Sequence, residues 1–398
     1  MNLLQIAPRL GYGGAEVIEH ALAIEARNKG GQSVIVSTNS PDDPRPKEIE
    51  GEGIAYYQAE AAPVAQIAKI IKSHDISIVH AHTADNAFWA SQARIVAWEN
   101  IPVCSTVHGW SPQKRPSYIR RDAIILNALD YSVAVSQAVQ TEMIGHGVSP
   151  QKIGMIHNGL DMDECDTIGA GVDLNAEFDI PAHSTIIGCV ARLDPVKGHT
   201  VLLNALVPVI KAFPDCHVLI IGDVILGEHE YKEELVRLSL KLGLSENVHF
   251  TGFRKNALAM IRNLDILVQP SLYEPFGLML IEAMYFRVPV IATNVGGIPE
   301  IITHKQEGLL VPPDDPCELS AAIISLMNHA LWGLKMGEAG NWRVRNSFTI
   351  EQMTASYFEM YERLIKEVTQ GKENTDNDNQ KEGQDTAKST GNVPGFTV

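Results

Sequence analysis

The chain has 398 residues, a formal charge of −16 and 45% apolar residues. That length exceeds one ordinary hydrophobic core and fits two domains of about 150 to 190 residues. The acidic balance argues against a nucleic-acid binder, which normally carries a basic face, while leaving room for a local basic patch. The five cysteines include no C-x-x-C pair, which fits a reduced, cytosolic chain. The N-terminus lacks a basic n-region and no apolar run reaches about 18 residues, so neither a signal peptide nor a membrane span is expected.

Leu3 to Ala7 is a compact apolar run, followed by the glycine-rich turn LGYGGAE and a helical pattern from Ala15 to Asn28. Gly13 and Gly14 let the backbone come close to a ligand at the helix N-terminus, but the spacing is not that of the dinucleotide fingerprint. The turn fits packing as well as binding. Further strands are predicted at Ser33–Ser37, Ile76–His80, Pro102–Thr106 and Tyr131–Val135, separated by helical stretches. Such alternation implies a doubly wound parallel sheet, whose ligands sit at the carboxyl ends of the strands.

Two histidine segments fall at those ends, VHAHT with His80 and His82, and TVHGW with His108. Alternate strand residues point the same way, so His80 and His82 could form a metal pair; with no third ligand nearby, a structural or substrate-facing role fits better. His108, just past a buried strand, is placed to hydrogen-bond into a cleft, and equally fits an ordinary loop histidine. In the WSPQKRPSYIRR segment that follows, Trp110, Lys114, Arg115, Tyr118, Arg120 and Arg121 cluster. Basic residues mixed with aromatics suit an anionic acceptor or a membrane headgroup surface, and also a plain solvated loop.

Asp161 to Ser184 is polar and glycine-bearing and reads as a linker. A second alternating pattern follows, with strands at Thr185–Val190, His217–Ile221, Val248–Thr251, Ile266–Gln269 and Val288–Ala292. Directly after its first strand comes ARLDPVKGH, which sets Arg192 and Lys197 at a strand's carboxyl end. Two uncompensated cations there suit a diphosphate, Arg as a bidentate fork and Lys as a point charge. The stretch YEPFGLMLIEAMYFRVPVIATNVGGIPE, from Tyr273 to Glu300, reads as loop, helix, strand and loop. A helix beginning near Gly277 offers its free amides and positive dipole end to phosphate, so Glu274 and Glu282 would face hydroxyls instead; their spacing alone fits a loop residue and an exposed helix residue better. Trp342 to Glu367 reads as one long closing helix, and the polar tail 371–398 is expected to be disordered and dispensable for chemistry.

These pieces together resemble the retaining glycosyltransferases of family 4. The resemblance covers about residues 1 to 367. It rests on the E-x7-E element Glu274 to Glu282, the Arg192 and Lys197 pair, the early GGAE turn, HNGLD at 157–161 and GGIPE at 296–300. It implies an α/β GT-B fold, with two Rossmann-like parallel-sheet domains facing a central cleft. The acceptor-binding domain would span 1–165, with a final helix at about 350–367 packing back on it, and the nucleotide-sugar-binding domain 166–349. Arg192 and Lys197 would neutralise the diphosphate, Glu282 would bind the ribose, Glu274 the donor sugar, and His108 would lie near the reacting centre. Gly13, Gly14, Gly222, Phe253, Phe276, Gly277 and Leu278 would complete the donor site. Trp110, Lys114, Arg115, Arg120 and Arg121 would contact an acceptor or a membrane.

No metal and no cofactor are implied, since the nucleotide-sugar is a substrate. The expected reaction is retaining transfer from a UDP-sugar, with GDP-mannose second, to a glycan or lipid-linked acceptor in cell-surface polysaccharide or lipopolysaccharide synthesis. The expected setting is the cytoplasm, with peripheral contact at the inner face of the membrane. Two departures from the family pattern stand out, Val224 and Arg287 where glycine is frequent. Rival readings are a catalytically silent GT-B partner protein, a glycoside hydrolase using Glu274 and Glu282 about 5 Å apart and, last because the dinucleotide fingerprint is absent, a nicotinamide dehydrogenase.

Overall fold

The computed structural model describes residues 1–11, 13–38, 45–59, 63–169, 171–224 and 229–389. Strands β1 (Leu3–Ala7), β2 (Ser33–Ser37), β3 (Ala55–Gln58), β4 (Ile78–Ala81), β5 (Val103–Val107), β6 (Tyr131–Ala134) and β7 (Ile153–Met155) form one sheet in the order β3-β2-β1-β4-β5-β6-β7. Strands β8 (Thr185–Val190), β9 (Cys216–Ile221), β10 (Val248–Gly252), β11 (Ile266–Gln269), β12 (Val290–Thr293) and β13 (Gly308–Val311) form a second, in the order β10-β9-β8-β11-β12-β13. Every pairing is parallel. This is the expected pair of doubly wound sheets, and helices on both faces explain why the central strands are continuous apolar runs.

Three strands, β3, β7 and β13, escape the sequence reading. Each is an edge strand of three or four residues. The four residues of β3 are all half-buried, so nothing in that sequence reads as a core run. The expected linker 161–184 contains two short helices, Met162–Thr167 and Leu174–Glu177, each begun by an aspartate whose side chain caps it.

The single closing helix is corrected to two, Ala330–Ser347 and Ile350–Ser389. The chain breaks at Phe348 and Thr349 because another segment takes their place in the hydrogen-bond pattern. Leu160 donates its amide to the Phe348 carbonyl at 2.9 Å, and Ile350 donates to the Leu160 carbonyl at 3.0 Å. The second helix then packs on the N-terminal half as expected, with Tyr357, Phe358, Tyr361 and Leu364 buried against Leu3, Ile18, Leu22 and Val133. Its backbone runs on to Ser389, through much of the tail expected to be disordered, and residues 390–398 lie outside the described residues. Gly, Asn, Asp, Thr and Ser outnumber good helix formers in that stretch, so the helix runs on by extension, each added residue contributing one hydrogen bond to a helix already formed.

Candidate active site

The carboxyl ends of the central strands of both sheets meet. Gly14, after β1, starts helix Gly14–Asn28 opposite Leu278, which starts helix Leu278–Tyr285 after β11. The two helix starts touch so closely that a Cβ on Gly14 would lie 2.6 Å from Leu278 Cδ1, which only glycine avoids. Gly277 is the N-cap, with φ 114°, so the helix begins where the sequence places it. Its first-turn amides therefore open toward the junction of the two halves, with the positive end of the helix dipole.

Beside that helix start, Lys197 Nζ donates to Glu274 Oε2 at 2.8 Å. Glu274 is 5% exposed and also accepts from Gln269 Nε2 and Ser271 Oγ, each at 3.2 Å. Arg192 donates to Asp194 at 3.0 Å, with nearly half of its side chain in solvent. The cations are thus compensated, contrary to the sequence expectation. Lys197 is held by a carboxylate from the loop after β11 and Arg192 by one two residues along its own loop, which presets the position an anion would take over. Glu282, one turn into the helix, is partly buried, and burial raises its carboxyl to about 7, helped by the nearby Glu164.

His108 extends from the end of β5. Its ring stacks on His82 at 5.6 Å, and its Nε2 lies 3.3 Å from His82 Nδ1. Burial lowers its pKa to about 4, so it stands at this site as a neutral hydrogen-bonding group. His80 is structural: its Nδ1 bonds the Tyr361 hydroxyl at 2.6 Å and its Nε2 the Thr106 hydroxyl at 2.8 Å. That pairing joins the final helix to the sheet.

Other expected residues divide. Gly13 begins the first helix as its N-cap, and Gly222 ends β9 with φ 142°. Phe253 is exposed, while Phe276 is buried between His157 and Phe348, so its side chain supports the loop from behind. Trp110 is buried and packs on His146, which corrects its assignment to an acceptor or membrane surface. Lys114 pairs with Asp122, and Arg121 pairs with Asp85 at 3.0 Å and Asp122 at 2.9 Å. Arg115 and Arg120 are exposed and carry no ion pair among the described residues. Of the two departures, Arg287 takes φ 62°, the left-handed conformation that glycine adopts freely and that costs arginine about 1 kcal/mol.

Sequence reasoning missed the contacts that lock the halves together. Glu300 of the GGIPE turn accepts from the amides of Gln137 and Ala138 at 2.9 Å each, and meets His157 Nε2 at 2.7 Å. It thereby caps helix Gln137–Gly145, whose own N-cap, Ser136, donates to the Pro275 carbonyl at 2.7 Å. Tyr273 accepts from the Trp110 amide at 3.0 Å and donates to Glu142 at 2.9 Å. HNGLD and GGIPE are visible as motifs, but nothing in either shows that His157 and Glu300 pair across 143 positions.

The family model described as glycosyl transferases group 1 matches residues 173–341, and the model described as Glycosyltransferase Family 4 matches residues 12–164. The D-inositol 3-phosphate glycosyltransferase of Mycobacteroides abscessus is 25% identical over 74% of this chain and 72% of its own length. The N-acetyl-alpha-D-glucosaminyl L-malate synthase of Bacillus anthracis is 26% identical over 80% of this chain and 82% of its own. A glycosyltransferase of Rickettsia africae superposes with a TM-score of 0.78 over 92% of this chain and 98% of that one, at 25% identity. The Anabaena protein HepE, solved in complex with UDP-glucose, superposes with a TM-score of 0.81 over 91% of this chain and 100% of its own, at 24% identity. With one model on each half and a carboxyl-end junction between two parallel sheets, the chain belongs to the glycosyltransferases of GT-B fold, a family 4 N-terminal half joined to a group 1 C-terminal half.

Proposed function

We propose that the enzyme transfers a sugar, with retention of anomeric configuration and without a metal, from a UDP-sugar to a glycan or lipid-linked acceptor of the cell surface. The observation that carries this reading is the Lys197–Glu274 pair beside Arg192 and the start of helix Leu278–Tyr285. A nucleotide-sugar presents both an anion for the cations and helix amides, and hydroxyls for the carboxylates. As the bond to the sugar breaks, negative charge grows on the departing diphosphate, and preorganised cations and amides favour that change most. Glu282 takes the ribose diol, Glu274 the sugar hydroxyls, and His108 a hydroxyl on the N-terminal side of the junction. UDP ranks above GDP as the nucleotide because the similar HepE structure was solved with UDP-glucose.

Exposed Arg115 and Arg120 suit an anionic acceptor, either a lipid-linked one at the inner membrane face or a small soluble one. The second reading is favoured by the inositol phosphate and malate in the relatives' names, since both molecules combine a hydroxyl with an anionic group. Thermal stability against UDP-, GDP- and ADP-sugars, with chelator present, tests the donor site. A donor at about 100 times its dissociation constant stabilises by about 2.7 kcal/mol. UDP-sugars should shift the wild type and leave Arg192→Ala and Glu282→Ala unshifted. No shift at millimolar donor would overturn the site, and binding without turnover on any anionic acceptor would favour a silent partner protein.

A further inference from the structure

Behind His108 a chain of polar contacts runs into the core. His108 Nε2 lies 3.3 Å from His82 Nδ1, His82 Nε2 lies 3.0 Å from Gln5 Oε1, and Gln5 Nε2 donates to the Glu19 backbone carbonyl at 2.6 Å. Gln5 and Glu19 are fully buried, and His82 is 3% exposed. Three buried groups on β1, its helix and the end of β4 are thus spent on one half-buried imidazole.

The donors and acceptors fix the protons along this chain. A backbone carbonyl only accepts, so the amide nitrogen of Gln5 faces Glu19 and its oxygen faces His82. That oxygen also only accepts, so His82 carries a proton on Nε2, and in its neutral form has a bare lone pair on Nδ1. His108 must then supply the proton of the next contact from its own Nε2. Its Nδ1 has no hydrogen-bond partner among the described residues. We infer that Gln5 and His82 are positioning residues which hold His108 as the Nε2–H tautomer, so that Nδ1 is the acceptor offered to a substrate hydroxyl.

Burial keeps both rings neutral, driving His82 well below its ordinary value and His108 to about 4, with His80 and His108 adding repulsion at His82. The competing arrangement uses Glu19, whose Oε1 lies 3.7 Å from His82 Nδ1. A doubly protonated His82 paired with that carboxylate would donate to His108 Nε2 and reverse the tautomer. Glu19 lies beyond hydrogen-bond reach of His82, while Gln5 and His108 lie within it, so geometry selects the neutral relay. The tautomer sets the direction of the bond at the substrate: a hydroxyl donates to a bare Nδ1, which leaves its oxygen more electron-rich. This inference rests on the proposed placement of His108 at the sugar.

The test is a long-range nitrogen–proton NMR spectrum of the full chain labelled with nitrogen-15 histidine, His108 being identified by the signals lost in His108→Gln. At pH 7, wild-type Nε2 should be of the protonated type and Nδ1 of the bare type. The opposite pattern would overturn the relay without requiring any variant to fold. In Gln5→Met, His108 should become a mixture of tautomers and kcat should fall roughly tenfold at unchanged donor KM, the scale of one lost neutral hydrogen bond. An unmixed tautomer in that variant would remove Gln5 from the relay. If the wild type shows the stated tautomer yet turns over no donor, the relay stands and the functional reading falls.

Discussion

Replacing Glu274 with glutamine should weaken the fold and tighten nucleotide binding at once. Lys197 and Glu274 are 2.8 Å apart, with 15% and 7% of their side chains exposed. At an effective dielectric of about 20 their attraction is about 6 kcal/mol, and breaking a buried pair costs about 3 to 5 kcal/mol because one charge is left alone. The residual exposure of Lys197 puts this site near the lower figure, about 3 kcal/mol. Glutamine keeps an oxygen for Gln269 and Ser271, so the loss isolates the charge rather than the packing.

In Glu274→Gln the ammonium has no carboxylate, and a bound diphosphate supplies the missing charge. UDP, which has no sugar to miss Glu274, should therefore bind at least tenfold tighter than to the wild type, about 1.4 kcal/mol. Sugar transfer should fall in the same variant. Thermal denaturation with and without UDP, over a series of UDP concentrations, gives both quantities. A UDP-induced shift no larger in Glu274→Gln than in wild type would refute the argument, because Lys197 would then not turn to the diphosphate. Lys197→Met provides the control, and should lose most of the shift.

Glu282 is raised to about 7 from 4.5 by burial and Glu164, so its contribution to stability is complete below about pH 4.5 and lost as pH rises through about 7. In urea unfolding, Glu282→Gln should be within about 1 kcal/mol of wild type at pH 5 and more stable than it at pH 8 by up to about 3 kcal/mol; a gap independent of pH would contradict this. His80 at about 3 and His108 at about 4 are depressed from 6.5, so their contribution is complete above about pH 6.5 and lost as pH falls toward 4. The stability of His108→Gln should thus decline less steeply than wild type between pH 6.5 and 4, and parallel decline would contradict the assignment. If the exposed cations meet a membrane, Arg115→Gln with Arg120→Gln should weaken binding to anionic vesicles about 30-fold, at about 1 kcal/mol per charge. Unchanged binding in a flotation assay would end the membrane reading.

What the sequence discloses follows from how far apart the deciding atoms lie along the chain. Strands β1, β2, β8 and β11 match their sequence ranges to the residue. Three of them are buried along their whole length, and their apolar runs carry the signal by themselves. The position of Arg192, Lys197, Glu274 and His108 just past strand ends was legible too, because each follows an apolar run that reads as a strand. The pairings among such residues were not, since Lys197 meets Glu274 across 77 positions and His82 meets Gln5 across 77 as well. Composition reports neither.

The break at Phe348 and Thr349 shows the same limit and explains a motif whose spacing alone says nothing. Helical periodicity continues from Trp342 to Glu367, and no proline or glycine interrupts it. The helix stops because Leu160 of HNGLD inserts there, bonded to Phe348 on one side and Ile350 on the other. For the two segments to lie that close, the residue before Leu160 must have no side chain: a Cβ on Gly159 would stand 2.3 Å from the Thr349 carbonyl oxygen. The glycine of HNGLD is thereby accounted for by a crossing of backbones, and His157 two residues earlier is carried to Glu300 by the same crossing. One close approach sets both the return of the last helix to the N-terminal half and the His157–Glu300 contact between the two halves.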